Sequence, residues 1–393
     1  MSIRTPYEAI VVGAGSMGLA AGYYLSKQGV KVLLLDPHEP PHTFGSHHGS
    51  TRLIRIAYAE GATYVPLALR ARQLWTELEQ EWADAHQKEP TPLFAKVGVL
   101  NIMHLGATSI EGVESSVREH GLPFERLTRS EAVYRWPGLA MPEEYMAQFD
   151  PLGGVLFSER CLMAYKEGCL RHGATTRFGG SLDDIKLFPD SVEVSWNGET
   201  FRGQHLLLCT GAGTPAVLNR WFPEWALPMQ PLRKVFAWYR TNPETNLAPS
   251  LYRAPHFPGF CVQTQSAWFY GFPDFGDGVK VGRHDGGSPC TPDMVDRTFH
   301  TGEAEDLELR QFLAEFLPGT SGPLKEGKVC MYNMTPDEHF LIGNHPGYPH
   351  VHLASGFSGH GFKFASAVGE VLAQMVTDGH PRLDVSQFRP DRF

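Results

Sequence analysis

No stretch of this 393-residue chain stays apolar for long enough to cross a bilayer, so no membrane span is expected. No block of basic residues occurs either. Lys plus Arg number 34 against 43 Asp plus Glu, and the resulting charge of -9 argues against a nucleic-acid partner. The six cysteines (Cys161, Cys169, Cys209, Cys261, Cys290, Cys330) contain no CxxC pair, which removes the usual signs of a zinc site or a disulfide framework; no metal is expected. The opening MSIRTPYEAIVV runs almost directly into a strand and leaves no room for a signal peptide, so a soluble cytoplasmic protein is expected. Length favours two domains, or one large domain with an inserted second. Eighteen histidines are more than usual, and most are expected to be structural or at the surface.

What is present starts at Glu8 to Asp36, EAIVVGAGSMGLAAGYYLSKQGVKVLLLD. A β-run, Ala9 to Val12, leads into a glycine-rich turn. Helical spacing follows through Leu19, Ala20, Tyr23, Tyr24 and Leu25, Gly29 ends the helix, and Val30 to Leu35 forms a second buried strand tipped by Asp36. Gly13 allows the tight turn, Gly15 lets backbone approach a pyrophosphate, and Gly18 lets helix and strand pack closely. The helix N-terminus offers free N–H groups to phosphates, and Asp36 stands where a ribose hydroxyl would donate. A bare GxGxxG is weak evidence, but the full βαβ unit points to a nucleotide site.

The segment after Asp36 reads as a loop, PHEPPHTFGSHHGSTRLIR, able to wrap a cofactor with Ser46, His47, His48 and Arg52. Arg52 and Arg55 are stronger candidates than the histidines, because guanidinium forks suit carboxylate, flavin and phosphate oxygens. Helices are expected at Tyr64–His86, Gly112–His120, Arg129–Arg135, Ser158–His172 and Leu307–Phe316. Leu93–Met103 reads as one strand, residues 140–153 as turns, and Gly154–Phe157 as a short strand. Ala174–Arg177, Val192–Ser195 and Thr200–Arg202 read as a small β-element. Leu206–Cys209 is a buried strand ending in Thr210-Gly211, which is either a second cofactor contact or an ordinary strand-to-helix turn. From Pro228 to Leu317, strands alternate with Pro and Gly (Arg233–Tyr239, Phe260–Gln263, Ala267–Gly271, Gly278–Gly282), as in an antiparallel, substrate-facing domain. Near the end, Val351–Ala354 leads through Gly356, Gly359 and Gly361 to Lys363 and a helix from Ala365, bringing a second positive helix end toward the cofactor. The first fingerprint does not separate NAD from FAD. Repeated returns of the chain to an N-terminal nucleotide unit, with a β-rich region between them, favour the longer FAD.

GAGSMGLAAGYYLSKQG, PPHTFGSHHGSTRLIR, YVPLALRA, GFP…KVGRH, CMYNMTPDEHFLI and SGFSGHGFKFAS all resemble the monomeric sarcosine oxidase family, which includes N-methyl-L-tryptophan oxidase. The resemblance runs essentially end to end. It implies an α/β fold: a Rossmann-like FAD-binding domain of glutathione-reductase type (1–85, 151–215 and 326–393) beside a mostly antiparallel catalytic domain (86–150 and 216–325). It implies a monomeric oxidase that converts an N-methyl amino acid, dioxygen and water to the primary amino acid, formaldehyde and hydrogen peroxide. Cys330 resembles the residue joined covalently to FAD, and Arg55 with Lys363 resembles a clamp on the substrate carboxylate. His284, Tyr332 and Tyr270 resemble substrate-side catalytic residues, and Lys280 the oxygen-activation site. Arg52 and His48 resemble flavin-proximal loop residues, Arg52 with a catalytic role as well, and Ser46 and His47 are expected to bind the cofactor beside them. Ser50 departs from the family's aspartate.

The Arg233–Tyr239 strand, the run from His284 to Gly287, and Phe388-Arg389…Arg392-Phe393 look more like the N-methyltryptophan branch. Cys330-Met331-Tyr332 and Asp337-Glu338-His339 look more like the sarcosine branch. Sarcosine is the expected substrate, with N-methyl-L-tryptophan, fructosyl amino acids or cyclic imino acids as alternatives. Two rival readings are a dehydrogenase of the same fold and a non-catalytic nucleotide-binding regulator.

Overall fold

The computed structural model describes residues 6–87, 91–107 and 109–393; residues 1–5, on which the expected absence of a leader partly rests, lie outside that range. The apolar run at 7–12 forms strand Tyr7–Val12, flanked in parallel by Val32–Asp36 and by the long strand Glu199–Leu208. Thr175–Phe178 adds to the Val32–Asp36 side, and Leu182–Phe188, Ser191–Trp196, Tyr348–Ser355 and Leu341–His345 complete an eight-stranded sheet. Helix Ser16–Lys27 is buried from Met17 to Ser26 because it lies between this sheet and helix Ala365–Thr377. Gly13, at φ +94, and Gly18 make the crossing possible: a Cβ on Gly18 would lie 1.8 Å from the Gly13 carbonyl oxygen.

A second, nine-stranded sheet runs Ser288–Pro289, Gln230–Tyr239, Val279–Arg283, Trp268–Phe272, Gly259–Gln263, Val99–His104, Tyr145–Asp150, Glu125–Leu127, with Leu324–Met334 also paired to Gln230–Tyr239. It is antiparallel except where Gly259–Gln263 meets Val99–His104. Helix Ala304–Phe316 packs Leu309, Phe312, Leu313 and Phe316 into its core. A small third sheet joins Thr51–Ile54, Gly154–Phe157 and Phe94–Ala95.

Several local expectations change. Leu93–Met103 is two strands in different sheets, Phe94–Ala95 and Val99–His104, separated at Gly98 with φ +72. Tyr145–Asp150 is a strand rather than a turn, and Thr51–Ile54 is a strand inside the expected loop. Leu182–Phe188 and Leu341–His345 are further strands that the periodicity did not signal. Glu199–Leu208 is continuous where two strands were expected, because it pairs with Ser191–Trp196 along its first half and with Tyr348–Ser355 along its second. Thr175–Phe178 belongs to the parallel edge, not to the small β-element. Leu324–Met334, grouped from residue 326 with the nucleotide unit, hydrogen-bonds along Gln230–Tyr239 in the other sheet.

Candidate functional site

One cavity of about 720 Å³ runs between the two large sheets. At one end lie Gly13, Gly15, Ser16 and Met17 from the first turn, with Asp36 and Thr210-Gly211 beside them. Asp36 accepts from Ala14 N at 2.7 Å and His38 N at 2.9 Å, so its carboxylate braces the turn as well as facing the cavity. Gly18 does not line the cavity; its part is the close packing described above. Along the middle come Ser46, His47 and Arg52, then Cys330. Arg52 donates to Thr51 O (2.7 Å), Ser46 O (2.7 Å) and His48 O (2.6 Å), stapling the loop, and Ser46 Oγ donates to Met331 O at 2.6 Å. His48 is buried beside the cavity rather than on its wall, and neither ring nitrogen has a hydrogen-bond partner among the described residues. Burial drives both His47 and His48 down to about 3, so both rings are neutral.

The far end gathers Arg55, Tyr270, His284, Tyr332, Gly359, Gly361 and Lys363. Asp150 holds the chain just after Arg55, accepting from Ile56 N (2.7 Å), Ala57 N (3.2 Å), Leu152 N (3.0 Å) and Gly153 N (3.1 Å). Trp75 Nε1 donates to Lys363 O at 2.8 Å and fixes the turn that carries the lysine. Arg55 and Lys363 are each 5 % exposed. Lys363 Nζ donates to Tyr58 Oη (3.0 Å) and His360 O (2.8 Å); Tyr58 in turn meets His360 Nδ1 at 2.7 Å, and His360 Nε2 reaches Glu338 O at 3.1 Å.

Burial and neighbouring Arg55 pull Lys363 down to about 7, while Glu60 pulls it up. Arg55 Nη2 pairs with Glu60 Oε1 at 3.0 Å. Burial disfavours both charges, but their attraction outweighs it: Arg55 stands above its ordinary range and Glu60 falls to about 2. Glu60 Oε2 has no hydrogen-bond partner among the described residues. His284 is driven to about 3 by burial and His360, and is therefore neutral. Its ring lies 5.0 Å from Trp268 and 5.7 Å from Tyr332. Burial pushes the Tyr270 hydroxyl up to about 12 and raises that of Tyr332 well above its ordinary value, leaving both protonated.

Lys280 stands apart from this wall. Its ammonium donates to Gly49 O and to Thr51 O (3.0 Å), over the rings of Phe236 (4.4 Å), Phe272 (4.6 Å) and Trp238 (5.2 Å). It lines a second cavity of about 380 Å³, which shares Phe272 with the first. Burial, then Arg52, lower its pKa well below that of ordinary lysine. Burial raises the Cys330 thiol, against the pull of Arg52, Lys280 and Lys234.

Glu60, Tyr58, His360, Trp268 and Lys234 were not singled out from the sequence. Glu60 had a signal, an acid five residues beyond Arg55. The others become visible only when segments far apart in sequence meet.

The lining of the first cavity fits FAD: the α-helix N-terminus and glycine turn at one end, and, on the wall next to Gly211, the buried Asn333 Oδ1 acceptor, which has no partner among the described residues. Residues 8–375 match the family model described as FAD dependent oxidoreductase, and the chain belongs to that family. It is 44% identical over 395 residues to the monomeric sarcosine oxidase of Arthrobacter sp. (strain TE1826), covering 100% of this chain and 98% of that protein. It is 36% identical over 388 residues to the N-methyl-L-tryptophan oxidase of Yersinia pestis (strain Pestoides F), covering 98% and 99%. The glycine oxidase of Geobacillus kaustophilus shares the fold, with a TM-score of 0.82 at 20% identity over 99% of each chain. Within its family, the chain is an FAD-dependent oxidase of the monomeric sarcosine oxidase group. Among the described residues no helix is long and apolar enough to cross a membrane.

Proposed function

We propose that this oxidase acts on small secondary N-methyl amino acids, with sarcosine as its substrate: sarcosine, dioxygen and water give glycine, formaldehyde and hydrogen peroxide. The observation that carries the reading is the pair of buried cations, Arg55 and Lys363, converging with neutral His284 and the Tyr332 hydroxyl on one end of the FAD-shaped cavity. FAD held there would supply the two-electron chemistry, taking a hydride equivalent from the carbon beside the amine and returning the electrons to dioxygen. Arg55 and Lys363 bind and orient the carboxylate, with Glu60 holding the Arg55 fork before substrate arrives. The same two cations disfavour a charged substrate amine, and neutral His284 accepts a hydrogen bond from its neutral form. Tyr332 and Tyr270 close the substrate side.

Lys280 meets dioxygen. Its ammonium would stabilise the negative charge that develops on dioxygen as it is reduced. The cavity that reaches it supports this role. Cys330 is proposed to carry FAD covalently, with Ser46, His47, His48, Arg52, Gly13, Gly15, Asp36, Thr210, Gly211, Gly359 and Gly361 around it. The enzyme is proposed to act as a cytoplasmic monomer whose partners are small molecules.

The His284 to Gly287 run and the 36% identity to an N-methyl-L-tryptophan oxidase favour a larger substrate as the second reading. Anaerobic titration of the holoenzyme with sarcosine tests the proposal. Bleaching of the flavin at one equivalent is expected; a flavin that stays oxidised in excess sarcosine would overturn the assignment.

A further inference from the structure

Strand Gln230–Tyr239 carries a lysine where its neighbours on the same face, Phe236 and Trp238, are buried rings in an apolar cluster with Cys330. Lys234 is 4 % exposed and pairs in register with Cys330 across the strands. Its ammonium passes 5.1 Å from the centre of the Tyr332 ring. It then donates to three consecutive carbonyls: His284 O (2.7 Å), Asp285 O (2.5 Å) and Gly286 O (2.9 Å). All three of its N–H donors are thereby engaged.

Three carbonyl dipoles aimed at one point repel each other, and a cation at that point reverses the repulsion. The flanks of their turn pair with the strand that carries Lys234, and from the other side Trp268 and Arg283 hold it. His284 N donates to Trp268 O at 2.6 Å, and the Asp285 carboxylate accepts from Trp268 N at 2.7 Å and from Arg283. Trp268 in turn lies under Arg55, whose guanidinium is 5.6 Å from its ring. Burial lowers Lys234 to about 8 while Asp285 pulls the other way, so the ammonium is charged at neutral pH.

We propose that Lys234 is a positioning residue: by gathering the carbonyls of His284, Asp285 and Gly286 it sets the His284 ring and the Trp268 seat of Arg55, and so fixes the affinity of the substrate end of the cavity. This rests on the oxidase reading for the identity of the substrate, but not for the existence of a carboxylate site. Lys234 touches no reacting atom. Its effect falls on binding, not on the flavin's electron transfer.

The test compares wild-type holoenzyme with Lys234→Met and Lys234→Gln. Lys234→Met leaves three buried carbonyls unpaired, whereas the amide of Lys234→Gln can donate to two of them. Expected results are a KM for sarcosine and a Kd for acetate, read from the flavin spectrum, both raised about tenfold or more in Lys234→Met and by less in Lys234→Gln. FAD content, flavin reduction at saturating sarcosine, and reoxidation of dithionite-reduced enzyme should stay within about threefold of wild type.

If Lys234→Met does not fold, Lys234→Gln carries the test. KM and acetate Kd within about twofold of wild type would overturn the assignment. A parallel fall in FAD content, kcat and KM behaviour in Lys234→Gln would also overturn it, since that marks a residue needed only for folding. Were no amine to bleach the wild-type flavin, the oxidase reading would fail, and the acetate measurement would still decide the role of Lys234.

Discussion

Replacing Lys363 by Met keeps the length of the side chain and removes its charge from the proposed clamp. Tyr58 Oη and His360 O engage two of its three N–H donors, at 3.0 and 2.8 Å, leaving one for a substrate carboxylate. A charge-assisted hydrogen bond contributes about 1.5–3 kcal/mol. The variant should therefore lose roughly 10- to 150-fold in kcat/KM for sarcosine at about pH 6. Burial, with Arg55, lowers Lys363 to about 7. Below that value the free enzyme carries the charge; above it the charge is lost. Near pH 9 roughly one wild-type molecule in a hundred retains the proton. The wild-type advantage should then shrink to about a few-fold. The substrate amine titrates alike in both enzymes, so the ratio of their kcat/KM values cancels it. Initial rates of peroxide formation across this pH range provide the ratio. A ratio that stays constant from acid to alkaline pH, or one already below about threefold at pH 6, would refute the assignment of Lys363 to the carboxylate.

Other substitutions probe other parts of the cavity. Cys330→Ser should release its flavin into the supernatant on acid denaturation, whereas the wild-type precipitate stays yellow; free flavin from the wild type would remove the covalent link. Lys280→Met should slow flavin reoxidation by dioxygen by about a hundredfold or more while leaving reduction by sarcosine within about threefold. Equal effects on both half-reactions would show that Lys280 does not meet dioxygen. Gly18→Ala places a Cβ 1.8 Å from the Gly13 carbonyl oxygen, so the first turn must shift. Destabilisation of about 2–3 kcal/mol with loss of bound FAD is expected; an unchanged melting temperature with stoichiometric FAD would contradict the packing role.

The nucleotide unit was legible in the sequence because its information is local. One strand, one glycine turn, one helix and one acid lie within thirty residues, and each has its own spacing rule. The match of Leu206–Leu208 to the first strand was legible for a similar reason, as a buried run ending in Thr-Gly. Irregular strands were harder to see. Tyr145–Asp150 hides among Pro and Gly, and Gly98 breaks what reads as one strand between two sheets. The substrate end depends on meetings across long separations. Tyr58 meets His360 and Lys363, Arg55 meets Trp268, and Lys234 meets the turn after Arg283. Local pattern carries no trace of such pairings, so the roles of His284 and Lys363 were reached only through the family resemblance, whereas Arg55 was also singled out by its guanidinium chemistry. Placing Lys280 against a cavity separate from theirs needed the three-dimensional arrangement of Gly49, Thr51 and Phe272.

The most direct measurement of the central claim is peroxide formation by the holoenzyme with sarcosine and with N-methyl-L-tryptophan, compared as kcat/KM, since that ratio reads differential transition-state binding in the pocket. The account predicts one peroxide per amine consumed and the larger kcat/KM for sarcosine. Amine consumed without peroxide, or N-methyl-L-tryptophan preferred over sarcosine, would contradict it.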